Sequence, residues 1–389
     1  MKINLQNSRL RSGSLCSHAL ISALLIGSLA LTGGEKGNGK EKARNKDKEI
    51  SWNFESYKIR SNSVLSLAIA NAIGSGETQI LTGCYNTGEL ALYKKTHKGL
   101  KYLRNIGQVQ GGITDMKLLS MDGAQNKAVV SHEGKGSLQI FDLRTPSSPL
   151  SLFHGPSSIN HLEIADLNND GLGDIIPVSY DGDTEVWFEN VGNRGFVKRK
   201  LPLNSRKVSA IKVIDFDKDG DADILMASDH SKMIKLFVNK GNGKFDHTAI
   251  AKGIRGVLDI EALDMNMDGL MDVAYASYKE KRIQLLVNRE TSFESKNVST
   301  KLKSLNNIEV FDMGKDGRPD LIITSFADDA IRVIENSKTG LREHQFQATV
   351  PAPTAIAVKT DPVSNKTTFY VSSMAKNKVY AIGMNLVTQ

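Results

Sequence analysis

The nine residues DFDKDGDAD at 215–223 include five aspartates, and three similar segments occur elsewhere in the chain. We number the four segments in chain order as loop 1 (DLNNDGLGD, 166–174), loop 2 (215–223), loop 3 (DMNMDGLMD, 264–272) and loop 4 (DMGKDGRPD, 312–320). Their first aspartates lie 49, 49 and 48 residues apart. A fixed period of this size is typical of a repeat architecture, so each segment marks one structural unit.

The residues around each acidic segment repeat as well. Around loop 2, an alternating run, AIKVI at 210–214, precedes the segment, and a small apolar run ending in serine, ILMAS at 224–228, follows it. A third run, MIKLFVN at 233–239, and a fourth, FDHTAIAKGI at 245–254, complete the unit. Four short runs separated by turn residues predict a four-stranded antiparallel meander.

The same frame extends beyond the acidic segments. Asn71, Ser120 and Thr360 occupy the place of the first aspartate in three further units, and the seven starting positions are spaced 46 to 49 residues apart. The last unit lacks a fourth run, and NFESYKIRS at 53–61 supplies one from the N-terminal side. One such strand would close a ring and remove the open sheet edges.

These features predict an all-β fold, a seven-bladed β-propeller of four-stranded antiparallel blades over residues 50–389. An N-terminal strand completes the last blade. An open solenoid is the alternative, but a stack without closure would not need its last unit to be completed from the other end of the chain.

The acidic segments have the composition of a cation site. In loops 1 to 3 the positions 1, 3, 5 and 9 are Asp or Asn, and position 6 is Gly. Alternate side chains in a tight loop converge on one point, and with the carbonyl of position 7 they approach the six to eight oxygens that Ca²⁺ prefers. A plain Asp-Gly turn explains one such segment but not three in phase. The segments are not EF-hands, because the glutamate of position 12 is missing.

This arrangement resembles the FG-GAP/VCBS repeat family, which includes the propeller of integrin α-subunits. The resemblance covers most of residues 50–389 and implies Ca²⁺ in the loop between the first two strands of a blade. Three sites are implied in full: Asp166, Asn168, Asp170, Asp174 and the carbonyl of Leu172; Asp215, Asp217, Asp219, Asp223 and the carbonyl of Asp221; Asp264, Asn266, Asp268, Asp272 and the carbonyl of Leu270. A fourth site keeps Asp312, Asp316 and Asp320 but has Gly314 at position 3, and the other three units are expected to be ion-free.

A ligand site is predicted on the face opposite these loops. Large residues begin several of the connections between second and third strands, and polar residues on the innermost strands are expected to approach the central channel. The candidate ligand-binding residues are Tyr85, Tyr180, Tyr278, Phe326, His161, Glu163, Lys212 and Glu261. A solvated channel wall is the alternative interpretation of the polar residues. Cys84 stands where other units have serine, which favours a buried small residue over a nucleophile.

The sequence favours a binding module, for a protein or a polysaccharide, over an enzyme. No metalloprotease, nucleophile-elbow or Cys/His motif occurs, and almost the whole chain belongs to the propeller. The alternative is a lyase or hydrolase acting on a glycan with His161, Glu163, Lys212 and Glu261 as its acid/base group. The Lys and Arg residues are scattered, which argues against nucleic-acid binding, and the chain is expected to be a monomer.

The N-terminus has the pattern of an export signal of a bacterial protein. Lys2, Arg9 and Arg11 precede the apolar stretch 19–31, which is too short to span a membrane. We predict a signal peptide at 1–33 and a flexible polar linker at 34–49, and therefore a periplasmic, cell-surface or secreted protein. LTGG at 31–34 resembles a lipobox, but Gly34 replaces the lipidated cysteine, so no lipid anchor is expected at this position.

Overall fold

The computed structural model describes residues 40–43 and 49–387, with gaps at the positions given at the end of this paragraph. The predicted signal peptide and most of the predicted linker lie outside the described residues, so both stay predictions. Residues 40–43 of that linker form a short strand. The gaps are 62, 71–76, 122–123, 134–136, 146–147, 155–158, 181–184, 242, 301, 303, 347–348 and 362–365.

Seven antiparallel sheets make up the described part of the chain, which confirms the seven-bladed propeller. We number the blades in chain order, and in each the first strand is innermost. Blades 1 to 3 contain β3 Val64–Ala70, β4 Gln79–Cys84, β5 Glu89–Thr96 and β6 Gly99–Gln108; β7 Ile113–Met121, β8 Ala124–His132, β9 Ser137–Asp142 and β10 Leu150–His154; β11 His161–Ala165, β12 Asp174–Val178, β13 Val186–Asn190 and β14 Phe196–Lys200.

Blades 4 to 7 follow the same order, strand by strand. They contain β15 Val208–Ile214, β16 Asp223–Ser228, β17 Met233–Asn239 and β18 Phe245–Lys252; β19 Val257–Leu263, β20 Asp272–Ser277, β21 Arg282–Asn288 and β22 Phe293–Thr300; β23 Leu305–Phe311, β24 Asp320–Ser325, β25 Ala330–Ser337 and β26 Gly340–Gln345; β27 Pro353–Thr360, β28 Thr367–Ser373 and β29 Lys378–Val387. Within the described parts of the connections lie two short 3₁₀ turns, Gly192–Arg194 and Phe326–Asp328.

The last blade is completed from the N-terminal side, as the sequence predicts. Strand β2, Glu49–Lys58, pairs with β29 over ten residues, from Glu49 opposite Val387 to Lys58 opposite Lys378. Strand β1, Lys40–Ala43, adds a fifth, outermost strand to the same sheet. The side chain of Trp52 on β2 is buried and packs against Phe346, with ring centroids 4.5 Å apart. Strand β2 therefore belongs to the hydrophobic core as well as to the sheet.

Position within the blade explains why the runs differ in composition. The second strands β4, β12, β16, β20 and β24 are buried at every residue, because neighbouring blades cover both of their faces. The sequences of such strands are therefore continuous runs of apolar residues, without the alternation of apolar and polar residues that a half-exposed strand shows. Outer strands such as β14 and β18 are exposed over most of their length. Cys84, at the end of β4, is fully buried, and burial raises the pKa of its thiol.

The connections fall on two faces of the propeller. The acidic loops join first to second strands on one face, and the connections from second to third strands lie on the other. Among the described residues, no helix is long and apolar enough to cross a membrane.

Candidate metal centre and central cavity

The four acidic loops adopt one conformation. Position 4 is left-handed in each, with φ of 61°, 65°, 62° and 51°, and the glycine at position 6 has φ of 84°, 94°, 91° and 81°. The first aspartate accepts a hydrogen bond from the N–H of that glycine in every loop, at 2.6 to 3.1 Å. Glycine adopts positive φ without strain, so position 6 lets the loop wrap around the carboxylate of position 1.

The aspartate at position 9 fixes each loop to its blade. In loop 2, Asp223 is fully buried and accepts hydrogen bonds from the N–H groups of Phe216, at 2.9 Å, and Asn239, at 2.7 Å. Burial raises the pKa of this carboxyl, although the two N–H groups act in the opposite direction. Burial likewise raises the pKa of Asp174 in loop 1 and of Asp320 in loop 4 to about 6. These buried carboxyls therefore lie where a cation would be favoured.

Loop 2 brings three carboxylates to one point. Oxygen atoms of Asp215, Asp217 and Asp223 lie within 4.8 Å of one another, and no other such group of His, Cys, Asp and Glu occurs among the residues that the structure describes. The Oδ1 atom of Asp215 is buried and has no hydrogen-bond partner. A buried carboxylate oxygen without a donor is costly unless it meets a positive charge. The residues of loop 2 thus fit a cation.

Loops 1, 3 and 4 differ from loop 2 in the contacts of the first aspartate. There the Oδ1 atom accepts the N–H of position 5, at 3.1 Å in loop 1, 3.1 Å in loop 3 and 3.2 Å in loop 4. Loops 1 and 3 also carry an amide at position 3, and Asn168 and Asn266 donate to Asp170 and Asp268. In loops 1, 3 and 4 the Oδ1 atom of the first aspartate is therefore hydrogen-bonded within the loop, whereas in loop 2 the Oδ1 atom of Asp215 accepts no hydrogen bond.

An asparagine that was not among the predicted site residues holds each loop in place. The four asparagines lie at or next to the ends of the third strands of blades 3 to 6, each 24 residues after the first aspartate of its loop: Asn190, Asn239, Asn288 and Asn336. Asn239 donates to the carbonyls of Ala222, at 3.2 Å, and Leu167 of the preceding blade, at 3.0 Å. The constant distance of 24 residues between the first aspartate and this asparagine could have identified it from the sequence.

Substitution of Asn239 by alanine is expected to lower the free energy of unfolding by about 2–3 kcal/mol, because two buried carbonyls and the N–H of Gly241 lose their partner. Asn288→Ala is the matched control. Asn288 also donates to a carbonyl of its own loop but has no bond to the preceding blade, so we expect its loss to be about 1 kcal/mol smaller. Urea unfolding measures both, and equal losses would contradict the role of the inter-blade bond.

A cavity of about 550 Å³ occupies the channel between the innermost strands. It opens toward the face opposite the acidic loops, and none of the aspartates of those loops lines it. His161, Glu163, Lys212 and Glu261, predicted as channel residues, all line it, together with Tyr180 and Tyr278. The structure therefore brings six of the eight candidate ligand-binding residues together.

The remaining two aromatic candidates lie elsewhere. Phe326 is buried, only 6% exposed, in a small cluster with Ala352 and Met374, and Tyr85 packs against the same cluster. Neither lines the cavity. The rings that begin the second-to-third connections thus form two groups rather than one exposed aromatic surface.

One side chain from each innermost strand forms a ring inside the cavity. The ring consists of Ala68, Lys117, Glu163, Lys212, Glu261, Glu309 and Ala357, in blade order. The ammonium of Lys117 lies 3.3 Å from Glu163, and that of Lys212 lies 2.7 Å from Glu261. Burial raises the pKa of Glu309 to about 7, and the neighbouring Glu261 adds to the shift. Burial also raises the pKa of Glu261 and that of Asp259, which lies two residues before Glu261 on β19.

Comparison with known proteins agrees with the repeat and the fold. A family model described as an FG-GAP-like repeat matches residues 166–226 and 215–275, and each match spans two acidic loops. No curated protein sequence matches the chain.

Two similar solved structures share the architecture at low sequence identity. BBS1N, in a complex with ARL6DN soaked with lead, is 15% identical with a TM-score of 0.56, covering 83% of this chain and 92% of that one. Sqt1 of Saccharomyces cerevisiae is 11% identical with a TM-score of 0.53, covering 86% of this chain and 98% of that one. At these identities the likeness concerns the fold alone.

Proposed function

Because the chain carries FG-GAP-like repeats in a seven-bladed propeller, we propose that it is an exported calcium-binding module that recognises a ligand at the mouth of its central cavity. Calcium in loops 1 to 3 stabilises one face, and a protein or polysaccharide binds the other. The observation that carries the proposal is the cavity itself, a concave site with converging polar groups and two tyrosines on the face away from the acidic loops.

The carboxylate cluster of loop 2 supports the calcium part of the proposal. Asp215, Asp217 and Asp223 supply converging oxygens, and the orphaned Oδ1 of Asp215 is the acceptor that a cation would satisfy. Ca²⁺ tolerates irregular oxygen geometry, unlike Mg²⁺. Loops 1 and 3 share the backbone conformation of loop 2 and are proposed as further sites, whereas loop 4 lacks the side chain of position 3.

The tyrosines at the cavity mouth support the ligand part. The hydroxyl of Tyr180 donates to Asp229 at 3.2 Å, and the ammonium of Lys279 lies 5.5 Å from the ring of Tyr278. Tyrosine rings held in place by such contacts offer rigid apolar area beside hydrogen-bonding groups, which suits both sugar and peptide ligands.

The double substitution Tyr180→Ala with Tyr278→Ala is expected to weaken ligand binding at least tenfold on a glycan array and in pull-downs performed in calcium. Tyr102→Ala, on the outermost strand of blade 1, is the matched control and should leave binding unchanged. A ligand bound equally well by the double variant would place recognition elsewhere and contradict the proposal.

A glycan lyase or hydrolase is the second candidate, favoured by the raised carboxyl pKa values in the cavity. A carboxyl that titrates near neutral pH can act as a general acid or base. Under this hypothesis the double substitution Glu163→Ala with Glu261→Ala lowers the rate of glycan cleavage at least a hundredfold. Unchanged cleavage by the double variant would reject the hypothesis, and release of reducing ends is the measurement.

A further inference from the structure

In the ring of charged residues, one carboxylate, that of Glu309, forms no close ion pair among the described residues, although Lys212 and Lys117 attract it from a distance. Lys117 and Lys212 each pair with the glutamate of the following blade. Glu309 makes no hydrogen bond or ion pair with any residue that the structure describes, and the next members of the ring, Ala357 and Ala68, carry no charge. The ring therefore lacks a cation beside blade 6.

The cavity as a whole is acidic although the chain is basic. Six carboxylates line it: Asp115, Glu163, Asp229, Asp259, Glu261 and Glu309. The ammonium groups of Lys117 and Lys212 line the cavity with them, and that of Lys279 lies 3.7 Å from Asp229. The carboxylates are therefore in excess, whereas the whole chain has a formal charge of +7. An excess of negative charge in a concave site attracts cations and repels anions.

A second polar atom in the cavity wall lacks a partner. Asn307, on the same strand as Glu309, donates its Nδ2 to Asp259 at 2.9 Å, but its Oδ1 is buried without a hydrogen bond. Glu309 and the Oδ1 atom of Asn307 are both acceptors on β23, so a ligand at this part of the wall would be a hydrogen-bond donor, and the carboxylate favours one with positive charge.

Most of the wall that follows blade 6 around the channel is apolar, apart from Ser66 and Thr354. Leu65, Ala68 and Ile69 from β3 and Ala355 and Ala357 from β27 line the cavity next to blade 6. A ligand that reaches Glu309 would lay its remaining atoms over these side chains. Its body is therefore aliphatic.

The spacing of the carboxylates favours an organic cation over a metal ion. Among the described residues, the only three acidic or metal-ligating groups whose ligand atoms lie within 4.8 Å of one another are those of loop 2. The cavity carboxylates are thus too far apart to share one metal ion, but they can surround an ammonium, which donates three separate hydrogen bonds.

We propose that the central cavity binds a linear aliphatic ammonium ion, with its charged group against Glu309 and its chain over the apolar wall of β3 and β27. This proposal rests on the proposed function, because it takes the cavity as the ligand site. Burial and mutual repulsion raise the pKa values of Asp259, Glu261 and Glu309 although Lys212 opposes the shift, and a bound cation would oppose it further. The volume of about 550 Å³ suits a small ligand.

Butylamine, butanol and butyrate test the charge requirement, because they share one chain and differ in charge. We expect thermal-shift and calorimetric titrations of the calcium-loaded protein to detect butylamine and neither of the others. Glu309→Gln keeps the shape of the side chain and should weaken butylamine binding at least tenfold. Glu294→Gln, on the outer strand β22, is the matched control and should leave binding unchanged.

The variant Ala357→Lys supplies an internal ammonium beside Glu309 and should abolish butylamine binding in a folded protein. Equal binding of butanol, or unchanged butylamine binding by the folded Glu309→Gln protein, would overturn the proposal. Failure of all amines to bind would also overturn it, while glycan or protein binding that depends on Tyr180 and Tyr278 would leave the proposed function standing.

A lysine side chain of a partner protein offers the same chemistry as a free amine. A tripeptide with a central lysine, compared with its side-chain-acetylated form, distinguishes the two sources. Tighter binding of the lysine peptide than of butylamine assigns the cavity to a partner's lysine, and the reverse order assigns it to a free amine. Either order of affinities supports an ammonium-binding site in the cavity.

Discussion

Chelation of calcium is expected to lower the melting temperature of the protein by about 5 °C. With dissociation constants near 10⁻⁴ M and millimolar Ca²⁺, each occupied loop adds about 1.4 kcal/mol, so loops 1 to 3 together add about 4 kcal/mol. For a propeller of roughly 340 residues this corresponds to the stated shift. Differential scanning calorimetry in Ca²⁺ and in EDTA measures it, with Mg²⁺ as the control cation.

The fourth loop provides a gain-of-function control for this result. Gly314 stands at the ligand position that is acidic or amidic in loops 1 to 3, and its φ lies outside the left-handed region. A Cβ atom there would meet Asp316 at 3.6 Å, which is ordinary contact. Gly314→Asp is therefore expected to add about 1.4 kcal/mol of calcium-dependent stability. Equal melting in Ca²⁺ and EDTA, for the wild type and this variant alike, would reject calcium in the loops.

Replacement of Trp52 by alanine is expected to lower the free energy of unfolding by about 3–5 kcal/mol, the usual cost of truncating a buried aromatic side chain. Trp52 is 4% exposed and packs between Phe346 and Phe369, at ring-centroid distances of 4.5 and 6.3 Å. The cavity left behind would loosen β2 from β29, so the effect should concentrate in blade 7. Denaturant unfolding gives the loss, and hydrogen exchange along β2 and β29 locates it.

Asn53→Ala is the matched control for this substitution. Asn53 is the next residue on β2 and is exposed, so its truncation should change stability by less than about 0.5 kcal/mol. If Trp52→Ala destabilised the protein no more than Asn53→Ala, or left exchange in β2 and β29 unchanged, closure of the ring would not depend on this core contact.

The fold could be predicted because equivalent positions of the repeat have the same structural role in every blade. Phe216 and its equivalents Leu167, Met265 and Met313 are buried beneath the loops, and Asp223 and its equivalents begin the second strands, so the period appears directly in the sequence. The missing fourth strand of blade 7 could be recognised from the same period, and β2 confirms it.

The site was only partly predictable, because it depends on contacts between blades. The charged side chains of the cavity could be located from the alternation of the first strands. The pairing of Lys212 with Glu261, and the absence of a close ion pair to Glu309 among the described residues, follow from which blades are neighbours. The aromatic residues show the limit most clearly. Tyr180 and Phe326 occupy the same place in their repeats, yet one lines the cavity and the other is buried against Met374.

The pairing of β2 with β29 has a consequence for how the molecule is made. Trp52 lies opposite Met384, about 330 residues further along the chain. During synthesis, β2 is made before its partner strand, and until β29 follows its strand edge is unpaired and the indole ring of Trp52 lacks its core contacts. Such distant pairing slows folding and leaves time for aggregation. Blade 7 is therefore expected to form last.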